Sequence, residues 1–427
     1  MQAYNILLLG SGGRECAFAW KLKQSQRCRN LYIAPGNAGT LQYGTNLAIS
    51  PTDFEAIKSF CLEKDIHILL PGSEEPLVLG IYDFFKKDAS LQHIIVAGPS
   101  QGGAQLEGSK AFSKRFMQRH NIPTAAYATF NKDNYQEGIA YLRQHTLPIV
   151  LKADGLAAGK GVVICDTVED ALAHFESMIQ QQAFGAAGNN VVVEQFLEGI
   201  ELSVFVLTNG KDYVLLPEAK DYKRIGEGDI GLNTGGMGAI SPVPFADADF
   251  MQKVKTNIIE PTIKGLSEEQ LVYNGFIFFG LIKVNQEPYV IEYNCRMGDP
   301  DTEVVMPRLE NDLVALLLAM HEGTLQQQTI HHDARAACTV MLVSAGYPGS
   351  YEKNKAITGL KTYANSVVFH AGTKMVGDDV LTNGGRVLSI TSYGSDLQQA
   401  LQQSYAVISD ISFEGKTYRK DIGYEFV

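Results

Sequence analysis

Over the first hundred or so residues, short apolar runs at 6–9, 31–34, 66–70 and 94–97 alternate with segments of helical period at 14–24, 53–64 and 75–86. Brief, unbroken apolar runs suit strands buried on both faces, and apolar residues every third or fourth position suit helices with one buried stripe. Strand and helix in strict alternation predict a parallel sheet covered by helices on both sides. Ligands of such sheets bind at the carboxyl ends of the strands, where glycine-rich turns let the backbone approach an anion. Three turns fit: GSGG at 10–13, PGNAGT at 35–40 and PGSE at 71–74. The first is spaced G-x-G-G rather than G-x-G-x-x-G, and no acidic residue ends the second strand, which argues against a nicotinamide dinucleotide site.

At 427 residues the chain has room for two to four domains, taking about 100–200 residues for each. From Ser109 a helical segment leads to a strand at 149–154, a glycine–alanine loop, a strand at 162–164, a helix at 168–181 and a strand at 191–194. Alternating strands follow at 202–207, 213–216, 276–284 and 289–293, and the last 95 or so residues read as mainly β, with a helix near 396–409 and an NGG turn at 383–385. The expected class is α/β and α+β multidomain: an N-terminal βαβ domain (1–105), a central domain (106–122 with 197–332), a small domain (123–196) and a C-terminal β-rich domain (333–427).

Lys and Arg number 36 against 47 Asp and Glu, a net charge of −11. That balance, with no basic block, predicts neither nucleic acid nor an anionic membrane as partner. The longest apolar run, at 276–282, is far below the roughly 18–20 residues of a membrane span. The first four residues carry no charged signal-peptide region, so a cytoplasmic location is expected. Six cysteines without CxxC spacing read as reduced packing residues.

Four segments carry chemistry. KADGLAAGKG at 152–161 sets Lys152 and Lys160 among three glycines; such a backbone can wrap phosphate oxygens while the lysines supply charge. It is not a Walker A loop, and a mobile glycine turn is its plainer reading in isolation. A strand at 191–194 runs into a loop whose backbone could read an adenine edge, with Glu201 placed to accept from ribose hydroxyls; a solvated carboxylate is the alternative. Glu292 and Asn294, two apart in a strand, share one face and offer a hard cation two oxygen ligands, with Arg296 continuing the alternation. Such a set on an apolar strand is costly to bury unpartnered, which favours a Mg²⁺–nucleotide site over a structural salt bridge. Finally, NTGGMG at 233–238, preceded by KDYKR at 220–224, is a second glycine loop beside charge, suited to phosphate or acyl-phosphate contact unless it is a solvated turn.

In this order the stretches GSGGRE, APGNAGT, QLEGSKAF, IVLKADGLAAGKGV, VVVEQFLEG, NTGGMGA, VIEYNCRMGDPDTE, FHAGTK, NGGRVL and YRKDIG resemble the phosphoribosylamine–glycine ligase family of the ATP-grasp superfamily over nearly the whole chain. The resemblance implies a reaction in which ATP activates glycine as glycyl phosphate and 5-phosphoribosylamine displaces the phosphate, with the loop at 155–161 closing over the intermediate. It puts the ATP site at Lys110, Lys152, Lys160, Glu194, Leu197 and Glu201, and the Mg²⁺ or Mn²⁺ ligands at Glu292 and Asn294. Substrate contacts fall on Gly12, Asn37, Glu74, Lys223, Thr234, Gly235, Gly236, Met237 and Arg296, with Arg296, Lys152 and Asp221 in catalytic roles. Partners are then small molecules only, and the chain a monomer or weak homo-oligomer. Five positions depart from the family pattern: Cys16 and Tyr222 replace histidines, Ser73 and Leu232 replace prolines, and Ile240 replaces a tyrosine. Rival readings are another ATP-grasp ligase, such as a carboxylase-type purine or biotin enzyme, which would not require APGNAGT and FHAGTK, and a non-catalytic nucleotide sensor, which would not require the full metal and phosphate set.

Overall fold

The computed structural model describes residues 2–156 and 161–427. The opening alternation folds into β1 (Tyr4–Gly10), α1 (Gly13–Lys23), β2 (Cys28–Pro35), β3 (Thr45–Asn46), α2 (Phe54–Glu63), β4 (Ile68–Pro71), α3 (Glu74–Val78), α4 (Ile81–Lys87) and β5 (Ile95–Val96). The strands pair in parallel in the order β3-β2-β1-β4-β5. Along β1, Ile6 and Leu8 join Phe18 and Leu22 of α1 in one apolar cluster, whereas Leu7 and Leu9 join Ile57 of α2 and Phe85 of α4 in another. Both faces are thus covered, and each such side chain contributes about 1.5–3 kcal/mol by leaving water. The single helix expected over 75–86 is two helices, because Gly80 takes a left-handed φ of +88° between them.

Past β6 (Gly98–Pro99), the helices α5 (Gln105–Gly108) and α6 (Lys110–Arg119) lead into a small unit. It comprises β7 (Tyr127–Asn131), α7 (Tyr135–Gln144), β8 (Ile149–Ala153), β9 (Val162–Cys165), α8 (Val168–Ile179) and β10 (Asn190–Gln195). Its antiparallel sheet has the order β7-β10-β8-β9. Ile149, Leu151, Val191 and Val193 cluster with Leu142 of α7 and Phe175 of α8. The intervening residues, Lys152 and Glu194 among them, therefore face away from those helices.

The remaining chain forms β11 (Ile200–Thr208), β12 (Tyr213–Leu215), β13 (Lys220–Asp221), β14 (Arg224–Gly226), β15 (Ile230–Asn233), β16 (Gly238–Ser241), α9 (Ala248–Val254), α10 (Glu260–Glu268), β17 (Tyr273–Val284), β18 (Glu287–Asn294), α11 (Thr302–Arg308) and α12 (Leu313–Glu322). It ends with β19 (Ala336–Ser344), β20 (Ser366–His370), β21 (Thr373–Val376), β22 (Asp379–Thr382), β23 (Arg386–Gly394), α13 (Leu397–Asp410) and β24 (Lys416–Thr417). A central sheet β12-β11-β17-β18 takes β6 beside β17, and a second sheet runs β13-β16-β19-β23-β20 with β24 beside β19. The segments 197–332 and 333–427, expected as separate units, share this second sheet, since β13 and β16 cross into it. The apolar run at 276–282 is the buried middle of β17, and no helix among the described residues is long and apolar enough to cross a membrane.

Candidate active site

Lys152 on β8 and Glu194 on β10 project from the sheet face opposite α7 and α8. The Lys152 ammonium lies 3.0 Å from one Glu194 oxygen, and Lys114 of α6 lies 2.9 Å from the other. All three are nearly fully buried. Burial by itself would raise the Glu194 carboxyl, but the charges of Lys152 and Lys114 hold it below the ordinary range. Burial in turn lowers Lys114 to about 8 despite its carboxylate partner. Lys152 also donates to the carbonyl of Ile291 on β18 at 3.2 Å, tying the small sheet to the central one. Lys110, first residue of α6, donates to the Gly155 carbonyl at 3.1 Å, and Asp154 accepts from the Ser109 hydroxyl and the Ala111 amide, so the end of β8 is fastened to the start of α6. Burial lowers Lys110, with Glu292 opposing. Leu197 lies half-buried in the loop between β10 and β11. Lys160 and the loop positions 157–160 lie outside the described residues.

Glu292 and Asn294 sit two apart on β18, opposite Gly280 and Phe278 of β17. Asn294 is 6% exposed, and its side-chain nitrogen has no hydrogen-bond partner. Rotated by 180°, that amide presents an oxygen at the same place. Among the described residues no group of three or more His, Cys, Asp or Glu could hold a metal ion. A site with two protein oxygens, completed by phosphate and water, fits Mg²⁺ better than a closed protein cage would.

Arg296 lies beyond the end of β18, so it does not continue the strand alternation. Its guanidinium binds Glu107 at 2.7 Å and Glu74 at 3.2 Å. The polar set therefore has protein partners at Arg296 but an open end at Asn294. Burial would raise Glu74, yet Arg296 and Arg14 together draw it down to about 2. Glu107 accepts from the Cys295 amide at 2.8 Å, and burial keeps its carboxyl above the ordinary range. The first glycine turn packs against this group: the Gly12 amide donates to Glu15, Arg14 donates to the Met297 carbonyl, and the Arg14 amide to Asp299. A side chain at Gly12 would come within 3.0 Å of both Asp299 and Glu15.

Asn37 is bound within the protein on all sides. Its amide nitrogen donates to the carbonyls of Ser11 and His370, and its oxygen accepts from the amides of Gly39 and Thr40. Every strong group of the side chain has a protein partner, so Asn37 locks the second turn to the first and to the C-terminal sheet.

Lys223 bridges Glu201 at 2.5 Å and Asp221 at 2.8 Å, joining the expected ribose side to the second glycine loop. Within that loop the Thr234 hydroxyl donates to the Lys223 carbonyl and accepts from the Gly236 amide, while Met237 is buried with Met341 and Val343. Arg386 of β23 donates to the carbonyls of Gly235 and Asp299 and pairs with the Asp299 carboxylate at 3.0 Å. The second loop, the turn after β18 and the C-terminal sheet thus meet at one point. Asp301 nearby is pushed up to about 7, first by burial and then by Asp221.

Lys114, Glu107, Asp154, Arg14, Asp299, Asp301 and Arg386 join the site beyond the residues expected from the sequence. Lys114 had a signal, standing four residues after Lys110 on one helix face. Arg14, Glu107, Asp154, Asp299, Asp301 and Arg386 lie inside the family-like stretches GSGGRE, QLEGSKAF, IVLKADGLAAGKGV, VIEYNCRMGDPDTE and NGGRVL. The departures are accommodated structurally: Cys16 is fully buried, accepts from the His370 amide and is pushed up to about 12 by burial. Ile240 is core and Leu232 is exposed.

A small α+β unit and a central antiparallel sheet that converge on paired lysines, Glu194 and a Glu–Asn strand end define an ATP-grasp enzyme. Three family models cover the chain: Phosphoribosylglycinamide synthetase N domain at residues 4–107, ATP-grasp (A) domain at 108–302 and C domain at 337–425. A phosphoribosylamine–glycine ligase of Vibrio cholerae is 46% identical over 427 residues, covering 99% of this chain and 98% of its own. The crystal structure of phosphoribosylamine–glycine ligase from Thermotoga maritima superposes with a TM-score of 0.85 at 34% identity, covering 98% of this chain and 99% of its own. The chain belongs to the phosphoribosylamine–glycine ligase family and is a ligase. The biotin carboxylase domain of Hydrogenobacter thermophilus 2-oxoglutarate carboxylase, in complex with MgADP and bicarbonate, matches with a TM-score of 0.74 at 16% identity over 99% of this chain and 93% of its own; it shares the fold alone.

Proposed function

We propose that the chain joins glycine to 5-phosphoribosylamine through glycyl phosphate, giving glycinamide ribonucleotide, ADP and phosphate for de novo purine synthesis in the cytoplasm. The observation that carries this reading is the unpartnered, buried amide end of Asn294, on the same strand as Glu292, whose charge acts on Lys110 beside Lys152. A carboxylate is a poor electrophile, so its oxygen first attacks the γ-phosphorus of ATP, a step needing neutralised charge and in-line placement rather than a protein nucleophile. Lys110 and Lys152 supply cationic charge to the phosphates, and Glu194, Leu197 and Glu201 hold the nucleoside. Glu292 and Asn294 would hold Mg²⁺ or Mn²⁺, which would supply charge neutralisation at the phosphates.

Arg296, steadied by Glu74 and Glu107, is the group to orient the glycine carboxylate, because a guanidinium matches its two oxygens. Asp221, Lys223 and the loop 234–237, with the turn at Gly12, hold phosphoribosylamine and receive the acyl phosphate. The amine nitrogen then attacks the carbonyl carbon, phosphate leaves with its electron pair, and the nitrogen sheds a proton. Partners are small molecules, with the chain a monomer or weak homo-oligomer. The test is ADP formation with freshly made phosphoribosylamine: release requiring both glycine and the amine is expected. ADP release indifferent to both, or dependent on a different carboxylate, would overturn the reading.

A further inference from the structure

Residues 220–223 show two sides. Asp221 and Lys223 pair with each other and, through Glu201, with the nucleotide side. Lys220 and Tyr222 turn the other way, onto the segment 418–425. The Tyr222 hydroxyl donates to Glu425 at 2.8 Å, and Lys220 lies 3.0 Å from the same carboxylate and 3.9 Å above the Tyr222 ring. Beside them, the 1%-exposed Arg419 binds both oxygens of Asp421 at 2.8 Å, and reaches Asp229 at 2.5 Å and the Arg224 carbonyl at 3.2 Å. Asp421 in turn accepts from the Gly228 amide at 2.6 Å.

These contacts grip the hairpin β14–β15 at its first strand and at its turn. The hairpin needs such a grip. Two strands alone are marginal in water, and Ile230 and Leu232 on β15 are 67% and 66% exposed, so they anchor nothing. The hairpin runs directly into the loop 234–237, and a buried guanidinium is tolerated only where its donors are met.

Resting on the ligase reading above, we propose that Arg419 is a positioning residue for substrate binding. Through Asp229, Asp421 and the Arg224 carbonyl it fixes the hairpin 224–233, and with it Asp221, Lys223 and the loop 234–237, while Lys110, Lys152 and Glu194 of the ATP site are held by α6, β8 and β10, and Glu201 alone of that site's described residues touches Lys223. Tyr222 adds a link to Glu425 on the same segment.

The test is steady-state kinetics of the full-length protein with hydrogen–deuterium exchange on the same samples. In Arg419→Ala the KM for phosphoribosylamine or glycine rises about tenfold or more while the KM for ATP stays within about twofold. Arg419→Lys recovers part of the loss, since a point charge meets fewer of the same acceptors. Exchange quickens in 224–237 and not in β8 or β10. A merely structural role would lower the active fraction and leave every KM in place. Unchanged KM values in folded enzyme, or a KM for ATP rising in step, would overturn the proposal. Where Arg419→Ala does not fold, Asp421→Asn and Tyr222→Phe decide by the same split. If wild-type enzyme shows no glycine-dependent turnover, the ligase reading fails, and the exchange at 224–237 still settles whether Arg419 holds the hairpin.

Discussion

At the residue scale, the cost of burial distinguishes Asn294, the proposed metal ligand, from Asn37. Asn294 keeps a buried polar atom unpartnered, whereas the equally buried Asn37 has every group met. Sequence spacing could not tell the two apart, because both are asparagines in quoted stretches and only tertiary partners distinguish them. Glu292→Gln and Asn294→Ala are each expected to lower turnover by at least ~10²-fold, since an under-ligated cation no longer aligns the phosphates; near-wild-type rates in both would remove the metal assignment. Lys152→Met weakens ATP binding by calorimetry and leaves glycine affinity much less affected, and unchanged nucleotide affinity would count against the phosphate contact. Cys16 is no nucleophile: burial pushes its thiol up to about 12, leaving almost no thiolate at neutral pH. A folded Cys16→Ala variant retains turnover, and total loss of activity in it would contradict that reading.

At the element scale, the strands that carry the proposed ATP contacts were legible because their neighbours alternate. Ile149, Leu151, Val191 and Val193 pack on α7 and α8, so Lys152 and Glu194 must face the other way. β7 with α7, and the two-residue strands β3 and β13, were not legible, since their register is set by partners far along the chain rather than by an apolar pattern of their own. The loop 234–237 shows why glycine recurs there. Gly236 has a φ of +117°, and a side chain on it would meet Pro300 at 2.4 Å. Gly236→Ala therefore carries strain of about 1–3 kcal/mol and shifts the loop. A lowered melting temperature with a raised KM for phosphoribosylamine is expected, and wild-type values of both would show that the loop neither packs nor binds as described.

At the scale of the whole molecule, the parallel N-terminal sheet and the general order of units were readable from periodicity, but the joint between them was not. GSGGRE, the turn after β18, the second glycine loop and Arg386 are distant in sequence and become one site only when Asp299 accepts from Arg14 and pairs with Arg386. The second sheet likewise draws β13 and β16 out of the central segment, placing Asp221 beside β16 and Met237 beside β19, a hundred residues further along the chain. Such an assembly brings a carboxylate, a nucleotide and an amine to one place, and its central consequence is that a carboxylate oxygen of glycine leaves on phosphate. Turnover of glycine carrying ¹⁸O in its carboxylate, followed by mass analysis of the phosphate released, reads this directly. One labelled oxygen transferred to each phosphate is the predicted result; phosphate labelled only from water, alongside normal ADP release, would contradict activation of glycine by ATP.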